Sequence, residues 1–443
     1  MGPRRWLRQG ARESAVSGVL PVPARLSTRE LGLRAAGGLD LALVTLLGAV
    51  LLLRVLTDDL SSPDSRQSGS LDLSAGIAAL LVLVALGLLL RHRRGVLPAA
   101  LATLWLCTWT AIALGTHGAS TTTLREGVRE GSVVALAVIV YNTRGAITAT
   151  TAARLVQLIG FVPALIALYQ LATHTGMDIS GHHRANGTFA HPDSAAMFFA
   201  IAVSASLWLY LDGGRRRADA LLTALFAAAV VGTLSIDGLL ALVAMLIGYG
   251  ALRGGPLRAR LEPGLVAGLV LVAFLATPLG AQRITKEASS RLASVERGEA
   301  GTSLEWRLDK WKLLLPKWEA SPLFGEGLGT TTTTVSIHGN RFSGKPPHNE
   351  YVRYLVETGV VGTALLLWAL TGLVRSLRRR WRSSRAVDAS AFNAAALALV
   401  VIAGCLVNAL ADNTFLNSPT CYAATLIVVA ALIPQVAEKR RAT

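Results

Sequence analysis

The chain has 443 residues, of which 52 % are hydrophobic and only 16 % are charged, whereas soluble domains carry roughly 25 % charged residues. Repeated apolar stretches of about 20 residues exclude an ordinary soluble protein and are typical of membrane-spanning helices. The formal net charge is +16. Because the basic residues are concentrated in short segments between the apolar stretches, this charge indicates membrane topology and anionic lipid headgroups, and it does not favour nucleic-acid binding.

The apolar stretches predict an all-α fold, a polytopic transmembrane helix bundle of about twelve spans with one large helical extracytoplasmic loop. Residues 1–35 form a basic tail with the composition of a disordered segment. Nine spans follow within 36–281, then the loop at 282–350, three further spans within 351–436 and a short tail at 437–443. The predicted spans are 36–56, 73–90, 96–115, 126–142, 154–172, 194–211, 218–235, 238–252, 262–281, 351–374, 391–411 and 417–436.

The distribution of Lys and Arg predicts the orientation. Every second loop is basic, and basic loops remain in the cytoplasm. We therefore expect both termini to be cytoplasmic, and the long loop and Asp412-Asn413-Thr414 to lie outside. The short loops on the outer side contain only Arg66, Arg125, Arg129 and Arg184.

Cysteine and histidine spacing predicts neither a disulfide framework nor a metal site. The histidines of the 173–193 loop lack the tight spacing of metal ligands. They are His174, His182, His183 and His191. All the cysteines fall within predicted spans, and they are Cys107, Cys405 and Cys421.

The long loop contains a helical pattern. Arg307 lies beside its apolar face, and we interpret it as an anion-binding residue. Lys310, Lys312 and Lys317 have the pattern of cations that snorkel from an interfacial helix. The apolar face consists of Leu304, Leu308, Trp311, Leu315 and Trp318, which recur at helical spacing.

His348 lies where the long loop re-enters the membrane, in Pro346-Pro347-His348-Asn349-Glu350-Tyr351. The reference pKa of histidine is about 6.5, so a neutral imidazole near pH 7 can accept a proton. Two interpretations of Glu350 stay open: it orients His348, or it is a helix-start carboxylate favoured by the helix dipole. Glu357, farther along the same span, is interpreted as a structural hydrogen-bonding residue.

Five motifs follow one another between residues 184 and 362. They are Arg184-x2-Gly187-Thr188-Phe189-x-His191-Pro192-Asp193, Arg307-x3-Trp311, Ser321-Pro322-Leu323-Phe324-Gly325-Glu326-Gly327-Leu328-Gly329, His348-Asn349-Glu350-Tyr351 and Glu357-x-Gly359-x2-Gly362. In this order they resemble the signature of the O-antigen ligase and polymerase family of polytopic membrane glycosyltransferases. The combination is specific, whereas each motif alone is not.

The resemblance implies an enzyme of the bacterial inner membrane that needs no cofactor, nucleotide sugar or metal. It would move a glycan from a polyprenyl-diphosphate carrier, such as undecaprenyl diphosphate, to an acceptor hydroxyl on the outer leaflet. The acceptor is another lipid-linked glycan, a lipid, a wall polymer or a protein, so polymerase and ligase both stay open. His348 matches the family histidine that activates the acceptor, and Arg307 matches the arginine that binds the donor diphosphate. The supporting residues are Asn349, Glu350, Tyr351 and Glu357.

The sequence departs from the family at one position. Relatives carry an arginine after the serine of a Thr-x-Ser-Arg turn, and here Thr233-Leu234-Ser235 is followed by Ile236 and Asp237. Because one arginine neutralises a diphosphate poorly in a low-dielectric cleft, the donor needs another cation. We expect Arg184 and Arg291 to serve, with Arg283 as a further candidate.

Two other functions stay open. A transporter of small anions would place ionisable groups near the middle of the membrane. The predicted spans are nearly free of charge apart from Arg54. This scarcity of charged residues favours the enzyme over the transporter. A catalytically inactive relative that acts as a scaffold would explain the lost arginine, whereas the presence of both His348 and Arg307 favours catalysis.

Overall fold

The computed structural model describes residues 28–59, 73–118, 121–143, 146–179, 182–278, 280–282, 303–333 and 346–433. Helices make up nearly all the regular structure within these ranges. They are α1 (Thr28–Leu56), α2 (Leu73–His92), α3 (Val96–His117), α4 (Thr121–Asn142), α5 (Ala149–Thr173), α6 (Pro192–Asp212), α7 (Arg217–Gly232), α8 (Ile236–Leu252), α9 (Leu257–Ala276), α10 (Ser303–Ala320), α11 (Thr330–Thr333), α12 (Glu350–Ser384), α13 (Ala389–Asn408) and α14 (Ser418–Leu432).

The polytopic helical class predicted from the sequence is confirmed. Each predicted span falls on one of the helices α1 to α9 or α12 to α14. Within the described ranges, 7 helices are long and apolar enough to cross a membrane, and α8, α14 and the Leu41–Leu56 part of α1 are shorter apolar helices. The number of crossings stays a prediction.

A small hairpin interrupts the helical pattern between α5 and α6. Strand β1 (Met177–Ile179) pairs antiparallel with β2 (His182–Arg184), and Arg184 lies opposite Met177. The next residue, Ala185, donates its N–H to the carbonyl of Gly232 at 3.0 Å. This bond attaches the hairpin to the C-terminal end of α7 and fixes the position of Arg184.

Helix α6 is the central helix of the bundle. It packs against α5, α7, α8, α13 and α14, and its side chains from Pro192 to Leu209 are almost all buried, as expected for a helix that is apolar on every side. Pro192 occupies the first helical turn, and the His191 side chain caps the helix by accepting a hydrogen bond from the Asp193 N–H at 3.3 Å. The start of α6 therefore places His191 and Asp193 side by side.

Helix α8 begins directly beside the start of α6. Ser235 caps α8 by accepting a hydrogen bond from the Gly238 N–H at 3.3 Å. A Cβ atom at Gly238 would overlap the side chain of Ala196 on α6, so glycine permits this close approach. The first turn of α8, which carries Asp237, is thereby brought next to the first turn of α6.

Helix α12 is interrupted at Gly359, whose backbone has φ 62° and ψ −170°. Such a break leaves helical N–H and C=O groups without their usual partners. The N–H groups of Val360 and Val361 instead donate to carbonyls of residues 321–329, at 2.9 and 3.0 Å. A Cβ atom at Gly359 would overlap the backbone of Leu323, which explains the glycine.

The glycine-rich segment 321–329 also forms hydrogen bonds with the residues that precede the break in α12. The N–H groups of Glu326 and Gly327 donate to the carbonyls of Val356 and Glu357, at 2.9 and 2.8 Å. The indole N–H of Trp109 on α3 donates to one carbonyl on each side of the junction, at 2.9 and 3.0 Å. These backbone N–H groups are thus committed within the protein, so the segment is a packing junction rather than an anion cradle.

Replacing Gly359 with alanine is expected to destabilise the protein. The backbone conformation alone would cost on the order of 1–3 kcal/mol for a residue with a side chain, and the overlap with Leu323 adds to this cost. Thermal unfolding of the purified protein in detergent measures the effect. Gly372→Ala, in the regular part of α12 with open space around it, is the control and should not destabilise; equal melting temperatures for the two variants would contradict the prediction.

Helix α10 covers the residues where helical spacing predicts an amphipathic helix, but its packed side differs from the expected one. Lys310 and Leu314 are 0 % exposed, whereas Leu308 and Leu315 are 40 % and 36 % exposed. The interpretation of Lys310 as a snorkelling cation is therefore wrong. Its burial lowers the pKa of the Lys310 ammonium to about 8, because a low-dielectric environment disfavours the charged form.

Candidate active site

Five segments that are distant in the sequence meet at one end of the bundle. They are the starts of α6 and α8, the first half of α10, the residue pair before α12 and the turn that follows α13. Direct side-chain contacts connect α8 with α10 and the residues before α12 with the turn after α13. The polar side chains that they contribute are His191, Asp193, Asp237, Arg307, His348 and Asp412.

His348 is held by the turn after α13. Its backbone is in the left-handed region, with φ 51°, and its N–H donates to the Asn413 side-chain oxygen at 3.0 Å. Its ring nitrogen Nδ1 lies 3.1 Å from Oδ1 of Asp412. Donation from Nδ1 to this carboxylate stabilises the tautomer whose lone pair is on Nε2, which is the form that a general base requires.

Sequence reasoning assigned no role to Asp412, although it placed Asp412-Asn413-Thr414 on the same outer side as His348. The Asp412 side chain is 7 % exposed and that of His348 is 23 % exposed. The carboxylate is thus shielded while the imidazole can be reached. The signal in the sequence was an acidic and amide pair at the end of an apolar span.

Asn349 and Glu350 hold the turn that carries Asp412. The Asn349 side chain accepts a hydrogen bond from the Val352 N–H, which caps α12, and donates to the carbonyl of Leu410 at 2.9 Å. Oε1 of Glu350 accepts hydrogen bonds from the N–H groups of Phe415 and Leu416, at 2.7 and 3.2 Å. Glu350 therefore acts on the segment that positions Asp412.

Tyr351 and Glu357 lie farther from the imidazole. The Tyr351 hydroxyl donates to the carbonyl of Leu406 on α13 at 3.0 Å. Glu357 is 1 % exposed; its Oε1 accepts a hydrogen bond from the Thr331 N–H at 3.3 Å, and its Oε2 lies 3.2 Å from Arg353. These contacts connect α12 to α13 and α11.

Arg353 forms a buried charge network that the sequence analysis missed. It is 0 % exposed and pairs with Glu350, with Glu357 at 3.2 Å and with Glu130 of α4 at 3.3 Å. Its guanidinium also lies 4.1 Å from the centre of the Tyr354 ring. The expectation that the spans are nearly free of charge is therefore wrong at α12, where the charges are compensated within the protein.

Arg307 forms an ion pair with Asp237. Its Nη2 lies 3.0 Å from Oδ2 of Asp237, and the two side chains are 14 % and 16 % exposed. One turn along α10, the Trp311 indole N–H donates to the carbonyl of Pro347 at 2.9 Å, and so attaches α10 next to His348. Ile236 thus occupies the position after Ser235 where an arginine is expected. The next residue, Asp237, provides a carboxylate that binds Arg307.

Arg184 is 1 % exposed and is used within the protein. Its Nε donates to the carbonyl of Thr233 at 2.8 Å, and its Nη2 forms an ion pair with Asp193. This places Arg184 beside the site through Asp193, with its donors directed at protein groups. Arg291 and Arg283 lie outside the described residues.

Each of three nitrogen-bearing side chains faces a carboxylate: Arg184 faces Asp193, Arg307 faces Asp237, and His348 faces Asp412. The charges of Asp193 and Asp412 also act on Asp237. His191 completes the cluster, with its ring centre 6.3 Å from that of His348.

Replacing Arg184 with glutamine is expected to lower the free energy of unfolding by about 3–5 kcal/mol, because Asp193 would remain buried without its charged partner. Chemical or thermal unfolding in detergent measures the loss. Arg215→Gln is the matched control, since Arg215 is 53 % exposed in its pair with Glu262 and such pairs contribute little. A similar loss in both variants would contradict the assignment of Arg184 to a structural ion pair.

The fold and the site define a multi-spanning membrane protein with a histidine–carboxylate pair and an arginine at one end of its bundle. Residues 189–367 match the family described as O-Antigen ligase. The resemblance predicted from the sequence motifs is confirmed. The match includes Asp237, Arg307 and His348, whereas Arg184 and Asp412 lie outside it. A comparison with curated proteins found no match.

Proposed function

We propose that the protein is a membrane glycosyltransferase that moves a glycan from a polyprenyl-diphosphate carrier to an acceptor hydroxyl, as a polysaccharide polymerase or ligase. The match of residues 189–367 to the O-Antigen ligase family supports a glycosyltransferase of this type. The observation that carries the finer proposal is the His348–Asp412 pair, with Nδ1 3.1 Å from the carboxylate, at the same site as Arg307. The donor, the acceptor, and independence from metal and other cofactors are part of the proposal.

In the proposed reaction, the acceptor oxygen attacks the anomeric carbon of the donor sugar. Nε2 of His348 takes the acceptor proton, and Asp412 stabilises the resulting imidazolium. The bond from the anomeric carbon to the diphosphate oxygen breaks, and the electron pair leaves with the lipid diphosphate. Arg307 neutralises this leaving group through the planar fork that fits phosphate oxygens.

We also propose that the site faces away from the cytoplasm and that both termini are cytoplasmic. The alternation of basic and non-basic loops supports this orientation. A single cysteine at Lys312, whose side chain is 76 % exposed, should react with a membrane-impermeant maleimide added to intact cells. The exposed native Cys107 is first replaced by serine. Labelling that occurs only after the membrane is opened would contradict the orientation.

The function is tested with protein reconstituted in liposomes and a radiolabelled glycan on undecaprenyl diphosphate. The expected result is release of undecaprenyl diphosphate together with a longer glycan or a glycosylated acceptor. Acceptors from each class are supplied separately: a lipid-linked glycan, a lipid core, a wall polymer and a protein. Analysis of envelope glycans after deletion of the gene identifies which of them is used in the cell.

The second candidate is a catalytically inactive relative that binds the lipid-linked glycan. The Asp237 carboxylate on Arg307 favours it, because relatives place an arginine in this turn. Binding of the donor without release of undecaprenyl diphosphate, with every acceptor class present, would favour this candidate over the enzyme.

A further inference from the structure

We propose that Asp237 competes with the donor phosphate for Arg307 and thereby sets the affinity of the site for its lipid-linked donor. This inference rests on the proposed function. In the unliganded protein the Asp237 carboxylate contacts Nη2 of Arg307, and a donor phosphate that binds at Nη2 has to displace it.

The position of Asp237 makes it a fixed ligand of Arg307. It lies in the first turn of α8, where Ser235 caps the helix and Gly238 packs against Ala196. A carboxylate held on a rigid element has a high effective concentration at its partner. Its Oδ2 is 3.0 Å from Nη2 of Arg307, which is a direct charge-assisted contact.

The Arg307–Asp237 pair is more exposed than the Arg184–Asp193 pair, and we infer that it can exchange with a ligand. The Arg307 and Asp237 side chains are 14 % and 16 % exposed, whereas the Arg184 and Asp193 side chains are 2 % and 11 % exposed. The Arg184 side chain is buried, and it links strand β2 to the start of α6 and to the end of α7. The Arg307 pair lies at the surface of the cluster and can be opened by an incoming anion.

The negative charge of Asp237 is the reason that it competes with a phosphate for Arg307. Carboxylate and phosphate oxygens bind the same edge of a guanidinium, so both cannot occupy one edge of Arg307. Asp193 and Asp412 add negative charge around Asp237, and this charge opposes an anionic ligand. Removing the charge of Asp237 should therefore strengthen the binding of lipid phosphates, and more so for a ligand with more charge.

The test measures binding rather than turnover. Full-length protein in lipid nanodiscs is titrated with undecaprenyl diphosphate, undecaprenyl phosphate and uncharged undecaprenol. Asp237→Asn removes the carboxylate charge and keeps the side-chain shape, and Asp237→Glu keeps the charge. Asp309→Asn is the matched control, because Asp309 lies on α10 near Arg307 and pairs with the exposed Lys312 at 3.4 Å.

The expected result is a dissociation constant for undecaprenyl diphosphate that is about tenfold lower in Asp237→Asn, with a smaller gain for the monophosphate and none for undecaprenol. Asp309→Asn should stay within about twofold of the wild type, since exposed charges are screened. Asp237→Glu should not gain affinity. If Asp237→Asn fails to fold, Asp237→Ser is measured with the same expectation.

Equal or weaker diphosphate binding by Asp237→Asn would overturn the inference, because a residue that only positions Arg307 would weaken binding when it is removed. Arg307→Ala separates this outcome from failure of the proposed function. If Arg307→Ala binds the diphosphate as tightly as the wild type, the donor site itself is wrongly assigned. If Arg307→Ala weakens binding and Asp237→Asn does not strengthen it, only the competition is wrong.

Discussion

His348→Ala is expected to lower the turnover number of glycan transfer by about 10²–10⁴-fold, the usual contribution of a general base. The acceptor hydroxyl would lose the group that takes its proton. Donor binding should change little, because the imidazole faces Asp412 and not the Arg307 pair. Turnover is measured with saturating lipid-linked donor in the liposome assay.

Folding should survive this change, since the His348 side chain is 23 % exposed. His92→Ala is the control, because His92 is an exposed residue at the end of α2. Asp412→Asn should show part of the same loss, because an amide can no longer stabilise the imidazolium. Transfer by His348→Ala at the wild-type rate would show that the catalytic assignment is wrong.

Arg307→Lys is expected to lower kcat/KM for the donor by about 10²-fold, comparable to the loss of one preorganised donor to a developing negative charge. An ammonium keeps the positive charge but cannot reproduce the planar fork on phosphate oxygens. In addition, Asp237 would retain a charged partner, so the global fold should be preserved.

The measurement is initial transfer rate against donor concentration for the wild type and the variant. Arg258→Lys, at an exposed position near the start of α9, controls for the substitution itself. An unchanged kcat/KM in Arg307→Lys would remove Arg307 from the donor site, and the activity would then have to depend on other cations.

The helical pattern of α10 shows where sequence reasoning reached its limit. Spacing predicted a helix at these residues, and the structure contains one. The apolar face, however, is only partly packed: Trp318 packs against the protein, whereas Leu308 and Leu315 are exposed. Lys310, which lies off this face, is buried. In a membrane both lipid and protein accept apolar side chains, so hydrophobicity alone cannot tell which side of a helix packs against protein.

The ion pairs show the same limit for charged residues. Arg353 pairs with glutamates from its own helix and from α4. Arg353 and its α4 partner Glu130 are 223 residues apart in the sequence. Sequence periodicity carries no information about such contacts. The position of Arg353 within a predicted span was visible in the sequence. A charged residue in a span is usually buried and paired with another group.

The sequence by itself determined the class of protein, the approximate position of each helix and the resemblance to the O-antigen ligase family, because long apolar runs and ordered motifs depend on local composition and spacing. The tertiary structure alone decided which charges meet. It placed Asp412 on His348, Asp237 on Arg307 and Asp193 on Arg184. These pairings depend on how α6, α8, α10 and α13 converge in space, and the packing of Gly238 against Ala196 brings α8 next to α6.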